Sequence, residues 1–124
     1  GEMQISVVSF GYKYGLPRDA DLVMDVRFMP NPFYAPGLRR KTGLDRAVGA
    51  YILRHPAAKP FLSGFAKMIE TLVPYYIREG KSYLTIAVGC TGGRHRSVYV
   101  TRHLAAVLRG HGYSAREFHR DVHR

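Results

Sequence analysis

Gly89-Cys90-Thr91-Gly92-Gly93-Arg94-His95-Arg96-Ser97 concentrates most of the reactive and charged groups that one short stretch of this chain offers. Gly92 and Gly93 let a backbone approach a ligand closely, Thr91 adds a hydroxyl donor, and Arg94 and Arg96 add forked cationic donors. A phosphate, sulfate or carboxylate is the expected occupant. Cys90, the sole cysteine, is separated by five residues from Arg96-Ser97. That Cys-x5-Arg-Ser spacing also suits a loop in which a thiolate attacks phosphorus while the arginine clamps its oxygens. The plainer reading makes Cys90 a small buried residue closing a strand.

The flanking segments must position this stretch. Ser82 to Val88 is β-branched and aromatic without charge, which predicts a buried central strand. Val98, Val100, Leu104, Val107 and Leu108 recur at helical spacing and predict a helix from about Arg94, closed by Gly110 and Gly112. A glycine-rich turn between a strand and a helix N-terminus points free N–H groups and the helix dipole at an anion.

Further strands are expected at Gln4 to Phe10 and Asp21 to Phe28, and a short edge strand at Ser114 to Arg120. On the second of these, Asp25 and Arg27 alternate onto one face. Asp25 is read as orienting Arg27 or Arg96, with a strand-end salt bridge as the alternative. Met29 to Gly37, with three prolines, is expected as a rigid loop, followed by the basic cluster Arg39-Arg40-Lys41. Thr42-Gly43-Leu44-Asp45 resembles a capping box opening a helix to about His55. A second helix from Pro56–Pro60 to about Glu79 carries the stripe Phe61, Phe65, Met68, Ile69, Leu72 and Val73, with a kink expected at Pro74. His119 and His123 have an i, i+4 spacing, but no metal framework surrounds them, and no metal site or cofactor is expected.

These elements describe an α/β fold: one domain, 1–124, with a largely parallel central sheet of about four strands flanked by helices. Ligands bind such sheets at the carboxyl ends of strands. Phe10 to Tyr14, Asp25 to Asn31 and Gly89 to Arg96 should meet there. The candidate ligand-binding set is therefore Cys90, Thr91, Gly92, Gly93, Arg94, His95, Arg96, Ser97, Asp25, Arg27, Asn31 and Lys13.

Composition adds a second theme. The net charge is +10, and residues 94–124 hold seven arginines and five of the six histidines against Glu117 and Asp121. Such a field attracts polyanions, with RNA or DNA foremost, although a basic surface also serves solubility. Arg109, Arg116, Arg120 and Arg124 are the candidate RNA contacts, expected to lie clear of the anion loop, with Tyr113 and Phe118 near for stacking and Phe118 read as core. One cysteine rules out an internal disulfide. No apolar run reaches membrane-spanning length, no signal peptide is expected, and the start at Gly1-Glu2-Met3 reads as that of an excised domain.

Four blocks in order carry a family resemblance: Val7 to Pro17, Asp25 to Pro32, Thr42 to Asp45 and Gly89 to Ser97. Together they are similar to the C-terminal domain of the RapZ/YvcJ family. Members of that family carry an N-terminal P-loop nucleotide-binding domain; this chain has no G-x-x-x-x-G-K-[ST], so nucleotide hydrolysis is not assigned to it. The resemblance implies a non-catalytic, cytoplasmic adaptor and sensor that binds small regulatory RNA and glucosamine-6-phosphate. It further implies a homo-oligomer, an endoribonuclease partner and no membrane partner. Thr91, Gly92 and Arg96 match the sugar-phosphate pocket, with Cys90 in the same loop. Phe33 stands where enterobacterial members place a pocket histidine, and the Lys/Arg-rich tail is sparser here. A cysteine-dependent phosphatase using Cys90 and Arg96, with Asp25 or Asp21 as acid, is the alternative, and a pure assembly module is a third reading.

Overall fold

The computed structural model describes residues 2–124; Gly1, where the expected 1–124 domain begins, lies outside the described residues. Four strands form one sheet: β1 (Gln4–Gly11), β2 (Leu22–Asp25), β3 (Tyr83–Cys90) and β4 (Ser114–His119). All pairings are parallel and the order is β2-β3-β1-β4. The helices are α1 (Arg46–Ile52), α2 (Ala58–Arg78) and α3 (Arg96–Gly110). Short 3-10 turns occupy Tyr12–Tyr14 and Pro32–Tyr34.

The strand order explains where the helices lie. Both helical connections, β2 to β3 and β3 to β4, move the same way along the sheet, so right-handed crossovers put their helices on one face. Ile5, Val7, Leu84, Ile86 and Val88 point to that face and pack with Leu62, Phe65, Ile69, Val73, Val100, Leu104 and Leu108 into the core. The β1-to-β2 connection moves the opposite way and contains no α-helix. Its Pro17, Arg18 and Asp19 lie with Ser6, Val8 and Thr85 of the other face.

Several elements are shorter than the sequence suggests. The second strand ends at Asp25, because the Asp25 carboxylate accepts the Arg27 N–H at 2.9 Å and turns the chain. Arg27 therefore leaves the strand face it was expected to share with Asp25. Thr42 and Asp45 make only part of a capping box: Asp45 accepts the Thr42 N–H at 2.7 Å, while Thr42 Oγ1 accepts from Leu44. The helix begins one turn later, at Arg46, and stops at Ile52. α2 runs unbroken through Pro74. Phe118, read as core, is 60% exposed, because β4 is an edge strand and Phe118 points to the face without helices. His119 lies on β4, so the 119/123 pair has no helical stacking. No helix among the described residues is long and apolar enough to cross a membrane.

Candidate functional site

β1 and β3 are neighbours whose onward connections leave in opposite directions, which is the switch point where parallel sheets open a crevice at their carboxyl ends. A cleft of about 320 Å³ lies there. Lys13 and Tyr14 come from the turn after β1, Asn31, Phe33 and Tyr34 from the proline-rich loop, and Cys90, Thr91, Gly92, Arg94, His95 and Arg96 from the turn after β3. Arg124 completes the lining. No carboxylate is among these residues.

The glycine-rich turn is held against β1 by closeness that only glycine permits. A Cβ on Gly11 would sit 2.4 Å from the Gly92 carbonyl carbon, and one on Gly93 would sit 2.6 Å from the Gly11 nitrogen. Gly93 also has φ +80°. The Lys13 N–H closes the contact on the Thr91 carbonyl at 3.1 Å. The N–H groups of Thr91, Gly92, Gly93, Arg94 and His95 have no acceptor among the described residues. They stand just before α3 as a row of unspent donors.

Arg96 is only 5% exposed. Its Nη1 donates to the carbonyls of Arg27 (2.8 Å) and Met29 (3.1 Å), and its Nη2 to Thr91 Oγ1 (3.3 Å). Its Nε is buried without a partner. Neutral oxygens hold the guanidinium in place, and no carboxylate among the described residues bonds to it. Cys90 Sγ lies 3.1 Å from Ser97 Oγ, with both groups buried.

A family comparison now bears on this arrangement. The family model described as "RapZ C-terminal domain" matches residues 3–123. The chain belongs to the RapZ C-terminal domain family. It is 52% identical over 118 residues to a "Nucleotide-binding protein" of Moorella thermoacetica, covering 95% of this chain and 40% of that one. Proteins of the same printed name from Limosilactobacillus reuteri (53% over 121 residues) and Heliobacterium modesticaldum (51% over 121 residues) are covered to 42% and 40%, each across 98% of this chain. The chain thus spans about two fifths of the length of these curated relatives.

Within this RapZ-type domain, eight of the twelve candidate ligand residues line the cleft: Lys13, Asn31, Cys90, Thr91, Gly92, Arg94, His95 and Arg96. Arg94 and His95 turn their side chains toward the basic loop. Arg94 donates to the carbonyls of Lys41 (3.0 Å) and Arg40, and His95 Nε2 donates to that of Leu38 at 3.1 Å. Burial, partly opposed by that bond, pushes the His95 pKa down and favours the neutral ring. Gly93 packs on Gly11 and Ser97 is buried against Cys90, and neither lines the cleft. Asp25 and Arg27 pair with each other at 2.7 Å beside the cleft. The Arg27 donors hold the Asp25 carboxyl below its usual range. Asp21, paired with Lys81 at 2.8 Å, is also lowered: burial opposes this, and bonds from Lys81 and the Thr85 N–H outweigh it.

The four arginines proposed for RNA do not form one surface. Arg109 bonds Glu117 at 3.1 Å, and Glu117 also takes a 2.8 Å bond from His119, whose other nitrogen meets Ser9. Arg120 reaches Asp121 and the Gly15 carbonyl. Arg116 lies on the sheet face without helices, beside Arg18, Arg120 and Phe118. Arg124, expected to lie clear of the anion loop, instead lines the cleft. The parallel pairing of β4 with β1 carries the following residues to the same strand ends as the loop. Tyr34 was also missed; its only signal was its place next to Phe33 in the proline-rich loop.

Proposed function

We infer that the chain is a non-catalytic regulatory domain that binds a phosphomonoester, of the amino-sugar phosphate kind, in the cleft and RNA on its basic surface. The observation that carries the first half is Arg96: a buried guanidinium fixed by carbonyl oxygens, with Nε unpartnered, beside a row of unspent N–H groups. A phosphate oxygen supplies the acceptors these donors lack. Tyr14, Phe33 and Tyr34 add flat walls suited to a sugar ring. Phe33 offers no polar group, so recognition of the sugar falls more heavily on Lys13 and Asn31.

Calorimetry with glucosamine-6-phosphate tests the reading. Arg96→Ala should weaken binding by about 1.5–3 kcal/mol, the scale of a charge-assisted bond. Equal affinity in that variant removes Arg96 from the site, and no binding to the parent chain removes the cleft. The RNA half rests on the net charge of +10, and the cytoplasm is the proposed setting. Self-assembly and an endoribonuclease partner follow the same family reading and stay proposals for the longer protein.

A phosphatase reading has one observation in its favour, the place of Cys90 in the cleft lining together with Arg96. The carboxyls proposed as its acid, Asp25 and Asp21, are both held below their ordinary range and hence ionised at neutral pH. That favours binding over turnover. Hydrolysis of an aryl phosphate that vanishes in Cys90→Ser would reverse the order of the two readings.

A further inference from the structure

Asp121 is a buried carboxylate that neither the glycine-rich turn nor the Arg96 cradle uses. It is 1% exposed. Its Oδ2 accepts the Gly11 N–H at 2.8 Å, at the end of β1 where Gly93 packs. A Cβ on Gly93 would lie 2.8 Å from the Asp121 Cβ, so the Asp121 side chain abuts the loop. Arg120 reaches the same carboxylate through Nε and Nη2. Arg124 Nε donates to Oδ1 at 2.8 Å, and the Arg124 N–H closes a turn on the Asp121 carbonyl at 3.2 Å. The guanidinium carbon of Arg124 lies 4.6 Å from the Tyr14 ring centroid, over a cleft wall. Its two Nη groups bond no acceptor among the described residues, and the residue lines the cleft.

The geometry points to Arg124 as a second cationic contact for the phosphate group in the cleft, with Asp121 as the positioning residue that holds it there. This rests on the cleft being an anion site, as proposed above. A phosphomonoester carries close to two negative charges at neutral pH. Arg96 meets it from the floor, and Arg124 meets it from the rim. Of the other cations lining the cleft, Arg94 is turned onto backbone carbonyls, which leaves Lys13. One carboxylate thus ties together the strand end, the loop and the rim cation, and the ligand class it favours is a dianion over a singly charged acid.

Calorimetry on the 124-residue chain with glucosamine-6-phosphate and with inorganic phosphate provides the test. Arg124→Ala should weaken both probes roughly tenfold, as expected for one lost charge-assisted contact. Asp121→Asn should produce a similar loss, and the double variant should be no weaker than Arg124→Ala alone. A further loss in the double variant would make Asp121 a structural support only and overturn its positioning role. Arg124→Ala decides the rim contact by itself if Asp121→Asn does not fold. Parent-like affinity in Arg124→Ala, alongside weakened binding in Arg96→Ala, overturns this inference and leaves the anion site standing. No binding to the parent overturns both.

Discussion

Arg96 meets the usual difficulty of a buried charge with neutral acceptors: two carbonyls and a hydroxyl satisfy its geometry and leave its charge uncompensated. Asp25, the carboxylate whose field reaches it, is engaged by Arg27. The anion proposed for the cleft would supply the missing countercharge, so ligand should stabilise the fold as well as occupy the site. At a hundredfold excess over its dissociation constant, glucosamine-6-phosphate should add about 2.7 kcal/mol to the unfolding free energy. Thermal denaturation should show that gain in the parent chain and lose most of it in Arg96→Lys, whose single ammonium cannot reach both carbonyls and the ligand. An equal thermal shift in both proteins counts against the cradle. Asp121 makes a different prediction, about acid. Burial opposes its ionisation, but donors from Arg120, Gly11 and Arg124 outweigh burial and lower its pKa below the ordinary value. The unfolded chain then binds the proton more readily, so the stabilisation is complete above the unfolded pKa of about 3.9 and is lost as pH falls through the lower folded value. Asp121→Asn should cost about 1.5–3 kcal/mol at pH 7, the scale of bonds to a charged group, and should flatten the acid limb of a stability-against-pH curve. An acid limb unchanged in the variant assigns the acid sensitivity to other carboxylates.

At the scale of elements, the site depends on how tightly the turn after β3 lies on the end of β1. Three glycines of that region differ in what they tolerate. Gly11→Ala drives a methyl into the Gly92 backbone, and Gly93→Ala combines a positive φ with contact on Gly11. Gly92→Ala meets nothing within 4 Å. Urea unfolding should therefore show losses of about 1–3 kcal/mol for the first two, the cost of overpacking and strain, and little change for Gly92→Ala. Because Gly92 lines the cleft, its variant should still bind glucosamine-6-phosphate less tightly, separating fold from site. A Gly92→Ala protein that binds like the parent moves the ligand away from the turn. The parts of this arrangement legible in the sequence are local. Strand, glycine-rich turn and helix follow one another from Ser82 to Leu108, and their residue types announce both the elements and the anion chemistry. The convergence of Lys13, Asn31 and Arg96 also follows once a parallel sheet is assumed, since strand ends gather. Arg124 was not legible, because it reaches the cleft only through the pairing of β4 with β1, and no local pattern encodes which strand takes which neighbour. Asp25 misled for a related reason: alternation extends a strand through it, while its side chain caps the Arg27 N–H and ends the strand.

For the whole molecule, the decisive feature is a parallel sheet with helices on one face only, whereas such sheets are commonly covered on both. The other face is crossed by the β1-to-β2 connection and leaves Val23, Tyr83 and Phe118 exposed. Arg18, Arg116 and Arg120 stand around a shelf on this face with Phe118. One exposed ring beside three guanidiniums, with Asp19 and Glu117 at the same shelf, offers a base a stacking surface and a single strand's phosphates their contacts. Of the arginines proposed for RNA, Arg109 is tied to Glu117, and Arg120 and Arg124 are tied to Asp121. Arg116 forms no ion pair among the described residues and lies away from the cleft, so it tests the RNA surface without disturbing the anion site. Fluorescence titrations of a single-stranded RNA across a salt series should give a steep fall in affinity for the parent chain. Arg116→Ala should reduce the magnitude of the slope of log affinity against log salt by about 0.7, one phosphate contact on a single strand, and leave glucosamine-6-phosphate binding unchanged. Phe118→Ala should weaken binding by about 1–3 kcal/mol at every salt concentration, with the slope preserved, because stacking releases no counterions. If both variants match the parent in slope and affinity, the uncovered face is not the RNA surface. The Arg39-Arg40-Lys41 cluster, beside the loop that Arg94 and His95 hold, is then the next stretch to substitute.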